Sequence, residues 1–143
     1  MGGVSQSRFY QENGAGVLEG EVSLKNNGGF ASVRKRFTKP IDLSDCDGIR
    51  LRILGDGKNY AFRLKMLING EITRYSYEAG FQTTEAEETE LYLPFSEFEP
   101  YFRGRYVGAA APLDPEKIIE TAFMIKEKQE GYFRLKIIGV DGV

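Results

Sequence analysis

Ile49-Arg-Leu-Arg-Ile53, then Gly55-Asp-Gly57, then Tyr60-Ala-Phe-Arg-Leu-Lys-Met66 is the stretch that decides the fold. Ile49, Leu51 and Ile53 alternate with Arg50 and Arg52; Tyr60, Phe62, Leu64 and Met66 alternate with Ala61, Arg63 and Lys65. A period of two places the apolar set on one face of a strand and the basic set on the other. Gly-Asp-Gly between two such runs is turn chemistry, so the pair reads as a hairpin. Working outward, Gly16–Leu24 is a strand with Val17 and Val22 as core residues. Gly29–Phe37 sets Ala31, Val33 and Lys35 against Ser32, Arg34 and Arg36. Asn26-Asn-Gly-Gly29 tolerates positive φ and predicts a hairpin between these two.

Asn69-Gly70 marks a third turn, leading into a strand over Ile72–Ala79. Glu88–Leu93 is a strand stopped by Pro94, and two late strands run over Thr121–Lys126 and Tyr132–Val140. Helix is confined to single turns at Ser96–Phe98 and Asp114–Ile118, the second with Asp as cap and Pro at its first position. The expectation is an all-β jelly-roll sandwich of about eight or nine antiparallel strands.

Composition agrees. Seventeen glycines in 143 residues exceed the usual share of about 7% and fit a chain of many turns. The length suits one domain over residues 1–143, and 41% hydrophobic residues suffice for a core. With 19 basic and 21 acidic residues, the balance argues against binding nucleic acid by bulk charge, though not against a local basic face. The chain has no histidine, which removes the commonest general base and every Ser-His or Cys-His arrangement. A zinc site has no plausible ligand set. The single cysteine, Cys46, lies between Asp45 and Asp47, whose negative charge blunts its nucleophilicity. Carboxylates such as Glu78 and Glu97 are scattered, with nothing to align them as a glycosidase pair. A non-enzymatic chain without a cofactor is expected. No apolar run approaches the roughly 20 residues of a membrane span. The opening Met1-Gly-Gly-Val-Ser5 is neither a signal nor a transit peptide.

An ordered set of blocks carries a resemblance along essentially the whole chain. They are Met1–Ser7; Asn26–Arg34; Asp47–Arg52 with Gly55-Asp-Gly57 and Tyr60–Arg63; Leu93–Phe98, Phe102–Arg105 and Pro112–Pro115; and Phe123–Ile125, Lys128-Gln129 and Gly131–Phe133. The set resembles the complex I intermediate-associated protein 30 family. That resemblance implies a galactose-binding-like jelly roll acting as an assembly factor or chaperone-like module through protein contacts. Its partner would be a membrane-complex subunit or another assembly factor. It places a standalone bacterial member in the cytoplasm and a processed eukaryotic member in the mitochondrion or plastid. Family members usually carry further residues ahead of the Met-Gly-Gly-Val-Ser block, so the expectation is either a missing edge strand ahead of Met1 or a start at an internal methionine. Galactose-binding-like domains often hold a structural calcium, for which Asp42, Asp45, Asp47 and Asp56 offer oxygens, but a turn accounts for Gly-Asp-Gly alone and no metal is assigned.

Two constellations are candidates for binding. If the apolar sets point inward, Arg34, Arg36, Arg50, Arg52, Arg63 and Lys65 point outward, with Arg74, Tyr75 and Tyr77 near them if strand order permits; Arg34, Arg50, Arg52, Arg63, Lys65, Tyr75 and Tyr77 are the candidate face. Arginine forks hold carboxylate or phosphate, and tyrosines stack on sugars or bases, so this face suits a partner protein, a carbohydrate or RNA. The competing reading pairs these cations with Glu19, Glu21, Glu71 and Glu78 across neighbouring strands. The second candidate is a protein-contact loop, Phe102, Arg103, Arg105 and Tyr106; its bland reading is a loop pinned to the sandwich by its two aromatics.

Overall fold

The computed structural model describes residues 6–22, 31–125 and 129–143. Twelve strands are found there: β1 (Gln6–Glu12), β2 (Ala15–Val22), β3 (Ala31–Ile41), β4 (Gly48–Leu54), β5 (Asn59–Ile68), β6 (Glu71–Ile72), β7 (Ser76–Gln82), β8 (Glu88–Pro94), β9 (Glu99–Phe102), β10 (Arg105–Tyr106), β11 (Ile118–Ile125) and β12 (Gly131–Gly142). They form two antiparallel sheets. One has five strands in the order β1-β2-β12-β4-β8; the other has seven, in the order β10-β9-β7-β5-β11-β3 with β6 appended to β5. Single 3-10 turns at Phe95–Glu97 and Pro115–Lys117 are the only helical elements among the described residues. In the second, the Asp114 carboxylate accepts from Glu116 N at 3.0 Å, and Pro stands at the turn's first position.

The core lies between the sheets. From β5 come Tyr60, Phe62, Leu64 and Met66, and from β4 come Ile49, Leu51 and Ile53, all buried. Phe62 anchors an aromatic cluster, with its ring 5.0 Å from Phe123 and 6.3 Å from Phe98. Val17 and Val22 are both buried, but five residues apart they lie on opposite faces of β2, and it is Val22, with Leu18, that joins the core cluster between the sheets.

Two expected hairpins are corrected. β4 and β5 alternate as read, but they lie in different sheets. Gly55–Lys58 therefore carries the chain across the sandwich. β2 and β3 are likewise split between the sheets, and the Asn26–Gly29 turn lies outside the described residues. The cause is that inward alternation has the same period whether the next strand pairs beside its predecessor or packs opposite it. The Asn69-Gly70 turn holds, with φ of +53° and +82° joining β5 to β6. The strand expected over Ile72–Ala79 is broken into β6 and β7. β1, β9 and β10 were not anticipated, and with β6 they raise the strand count above the expected eight or nine. Arg103 and Gly104, both at positive φ, form the tip of a β9–β10 hairpin where a loop was expected.

Replacing Phe62 by Ala should lower unfolding free energy by about 3–5 kcal/mol, because its ring is fully enclosed and the aromatic cluster cannot collapse around the void. Urea denaturation followed by tyrosine fluorescence measures this.

Candidate binding face

The seven-stranded sheet turns one face outward, and its register fixes what stands there. Glu99 pairs with Glu78, Glu78 with Arg63, Arg63 with Ala122 and Ala122 with Arg34, so these residues form one row across five strands. The next row runs Tyr106, Tyr101 and Ser76, then Lys65, Glu120 and Arg36. A third holds Gly80, Ala61, Met124 and Ser32. The result is a charged band beside a low floor, with an edge-to-face tyrosine pair, Tyr101 and Tyr106, 6.1 Å apart at one end.

Two carboxylates in this band are buried although their strands face outward: Glu78 is 6% exposed and Glu120 4%. Arg63 Nε lies 3.1 Å from Glu78 Oε1. Arg36 donates from Nε and Nη2 to Glu120 Oε1 at 3.0 and 2.7 Å. Each guanidinium thus lies over a carboxylate and shields it from water, which strengthens the pair relative to a fully solvated one. Burial pushes the Lys65 ammonium below the usual lysine range; Glu120 opposes that shift, and the guanidiniums of Arg36, Arg34 and Arg63 add to it. A lysine crowded by three guanidiniums is a place where an added anion would be stabilised.

The seven residues of the first constellation do not form one surface. Arg34, Arg63 and Lys65 share this band. Arg50 and Arg52 stand on the opposite side of the sandwich, on β4, where Arg50 meets Glu90 at 3.5 Å and Asp141 at 3.4 Å, and Arg52 meets Glu88 at 3.8 Å. These are well-exposed cross-strand pairs worth about 0–1 kcal/mol each. Tyr77 points into the core, donates its hydroxyl to the Ala111 carbonyl, and has its phenol pushed up by burial first and by Tyr75 second. Tyr75 packs beside it at 5.6 Å and accepts from Ala111 N at 3.3 Å. Both tyrosines pin the 107–114 segment. Of the acids expected to pair, Glu78 takes Arg63, whereas Glu19 is held by Arg8, Arg134 and the Tyr132 hydroxyl at 2.6 Å.

The second constellation joins the band at its far end. Tyr106 pairs with Tyr101, and Phe102, 40% exposed, with Arg105. The Arg103 guanidinium lies 5.2 Å from the Phe102 ring. So two separate stretches of sequence meet on one sheet. Tyr101, Ser76 and Glu120 are absent from both candidate sets, whereas Arg36 is read as outward beside Arg34. Arg36 follows from the same alternation as Arg34, and an acid inside the apolar run Ile118–Ile125 is the signal that marks Glu120.

Two of the four aspartates offered for calcium have other work. Asp56 accepts from the Tyr60 hydroxyl at 2.9 Å, from Lys58 N at 3.2 Å and from Arg134 N at 2.8 Å. Asp42 accepts from Ser44 N at 2.9 Å.

The family model described as Complex I intermediate-associated protein 30 matches residues 1–137. The chain belongs to that family. An uncharacterized protein of Schizosaccharomyces pombe is 31% identical over 112 residues, which are 71% of this chain and 51% of that one, so the chain spans about half the length of the curated relative it matches. Among solved structures, a family 11 carbohydrate-binding module of Clostridium thermocellum, in complex with a β-1,3-1,4-mixed-linked tetrasaccharide, superposes with TM-score 0.70 at 17% identity, covering 97% of this chain and 85% of that one. A family 30 carbohydrate-binding module gives 0.61 at 11% identity, covering 96% and 84%. At those identities the likeness establishes the jelly-roll fold of this family member and nothing of its ligand.

The outward charges also set the protein's acid response. Glu19 is held below the usual carboxylate range, first by the Tyr132 hydroxyl and then by Arg8. A carboxyl lowered in the folded state adds stability that is present above its unfolded value, near 4.5, and is lost as pH falls through the folded value. Stability measured by urea at pH 5 and about pH 3 should fall less in Glu19→Gln than in the parent; an equal fall would place the acid sensitivity elsewhere.

Proposed function

We propose that residues 1–143 form a single non-catalytic domain that docks a protein partner against the outer face of its seven-stranded sheet, in the manner of an assembly factor. The observation that carries this reading is the meeting of the β9–β10 hairpin with the cationic band. Tyr101 and Tyr106, the latter 62% exposed, stand on this face at one end beside the hairpin tip at Arg103, and Lys65, Arg63 and Arg34 continue along it, while the Phe102–Arg105 pair alternates to the hairpin's other face. Exposed aromatics next to arginine have the composition of interface cores, and a rigid sheet presents them at little entropic cost. Membership of a family named for association with complex I intermediates supports a partner that is a membrane-complex subunit or another assembly factor. A binding role also suits an inventory without histidine. No helix of the described residues is long and apolar enough to cross a membrane, so contact with such a complex would run through an exposed face of its subunits. The setting is the mitochondrion or plastid for a eukaryotic member and the cytoplasm for a standalone bacterial one.

A second reading has its own support. Tyr101 and Tyr106 rise at one end of the band, Lys65 in the same row can hydrogen-bond hydroxyls, and Ala61 and Gly80 leave a low floor beyond the Glu78–Arg63 row. That suits a sugar chain, and the neighbours of this fold include modules named for carbohydrate binding. RNA would use the same tyrosines and cations.

Tagged protein recovered from its native host should bring down a defined protein partner, and Tyr106→Ala should cut the yield about ten-fold, as expected for an exposed aromatic at an interface centre. Glycan arrays, and RNA binding at two salt concentrations, separate the second reading: RNA affinity falls steeply with salt, sugar affinity does not. Repeated recovery of no partner, with glycan binding that Tyr101→Ala abolishes, would replace the first reading by the second.

A further inference from the structure

β3 closes the seven-stranded sheet at the end opposite the hairpin. Among the described residues this 11-residue strand pairs only with β11, so no described strand occupies its other backbone edge. Its sequence, Ala31-Ser-Val-Arg-Lys-Arg-Phe-Thr-Lys-Pro-Ile41, holds four cations and no carboxylate, within a chain whose net charge is −2. Arg36 is matched by Glu120. The Lys35 ammonium lies 5.6 Å from the Phe37 ring.

The two sides of this edge differ. On the outer side stand Arg34 and Arg36. On the inner side, Val33, Lys35, Phe37 and Ile41 border a cleft of about 550 Å³ that opens between the sheets. Its far wall sets Phe9 and Val140 beside Gln11 and Asp141, with Phe62 and Phe123 at its back. Phe9 is exposed and lies so close over Gly16 that a Cβ there would come within 2.5 Å of its ring. A second strand laid along β3 would therefore project alternate side chains to the guanidiniums and to this apolar cleft.

We infer that the β3 edge accepts an extended segment of a partner protein in which acidic and apolar residues alternate. Backbone hydrogen bonds from this edge supply attachment. The period of two sends a carboxylate to Arg34, and apolar side chains into the cleft beside Val33 and Phe37. About six residues at roughly 3.3 Å each would cover the basic run. Charge complementarity selects the occupant: a basic or neutral strand would leave the cations of β3 facing like charge or nothing. The alternative role for edge cations, keeping copies of the chain from pairing edge to edge, predicts no such binding.

A fluorescein-labelled synthetic peptide of alternating Glu and Val, about eight residues long, is the probe, and the full chain is the receptor. Binding by anisotropy at low salt should weaken at least ten-fold in Arg34→Glu/Lys35→Glu and stay within about two-fold in Arg50→Glu/Arg52→Glu, whose cations lie on the other sheet. A Glu/Ser peptide of equal charge should bind at least five-fold more weakly, reporting the apolar half of the site. Hydrogen exchange should show probe-dependent protection of β3 amides. Unchanged thermal midpoints and circular dichroism keep the variants interpretable. Absence of binding, equal loss in both double variants, or protection confined to other strands would each overturn the inference. So would β3 protection that needs no probe and grows with protein concentration, which would make a second copy the occupant. None of these outcomes bears on partner capture through Tyr106, which is read at the opposite end of the sheet.

Discussion

Packing of one central strand against the opposite sheet organises the molecule. β5 sends Tyr60, Phe62, Leu64 and Met66 inward, and every one of them is buried. A strand with period two has no freedom once that set is committed: Ala61, Arg63 and Lys65 must face outward. A slip of one residue would bury Arg63 and Lys65 and expose Phe62 and Leu64. Loss of transfer free energy for the apolar set, about 1.5–3 kcal/mol per large side chain, and the cost of unpaired interior charge both oppose it. The chemistry of the outer face is thus a consequence of the core. β11 and β7, paired to β5 on either side, inherit the same register and bring Glu120 and Glu78 to its cations.

Charge on the two outer faces does different things. Across β4, Arg50 and Arg52 meet Glu88, Glu90 and Asp141 in pairs left open to solvent, where water and salt screen most of the attraction. On the seven-stranded sheet Glu78 and Glu120 lie beneath arginines and are shielded from water. Removing either arginine would leave a buried carboxylate weakly compensated, which is why such pairs fix geometry more than they add net stability. The cations that remain beside them, Lys65 and Arg34, are held at fixed places by a rigid sheet, as a recognition surface requires.

Strand direction and facing were legible in the sequence because they follow from period two alone: Ile49, Leu51, Ile53 and the β5 set point inward as read. Sheet membership was not. The Gly55–Lys58 connection looks like a hairpin turn, with Gly57 at φ +89°, yet it crosses from one sheet to the other. The energy that decides between these outcomes is long-range packing, invisible in a local turn. The same ignorance separated Arg50 and Arg52 from Arg63 and Lys65. It also set Tyr77 on an imagined surface, although its strand neighbours Ala79 and Phe81 mark that face as the apolar one. Conversely, Phe102–Tyr106 was recognised as exposed and aromatic, but its place on the cationic sheet depends on β9 pairing with β7, a contact no short stretch encodes.

A sheet edge that no described strand occupies must be kept from pairing with its own kind. β3 carries Arg34, Lys35, Arg36 and Lys39, so two copies approaching edge to edge bring like charges together. That repulsion is selective in sign. It rejects another β3 and is reversed by a strand bearing carboxylates, so one set of side chains both protects the edge and defines what can occupy it. The apolar cleft behind β3 adds a second criterion, because an acidic coil without apolar residues would leave Phe9 and Phe37 as wet as before. Solubility and selectivity at this edge therefore come from the same four cations, and their meaning as protection or as recognition depends on the charge of the approaching chain.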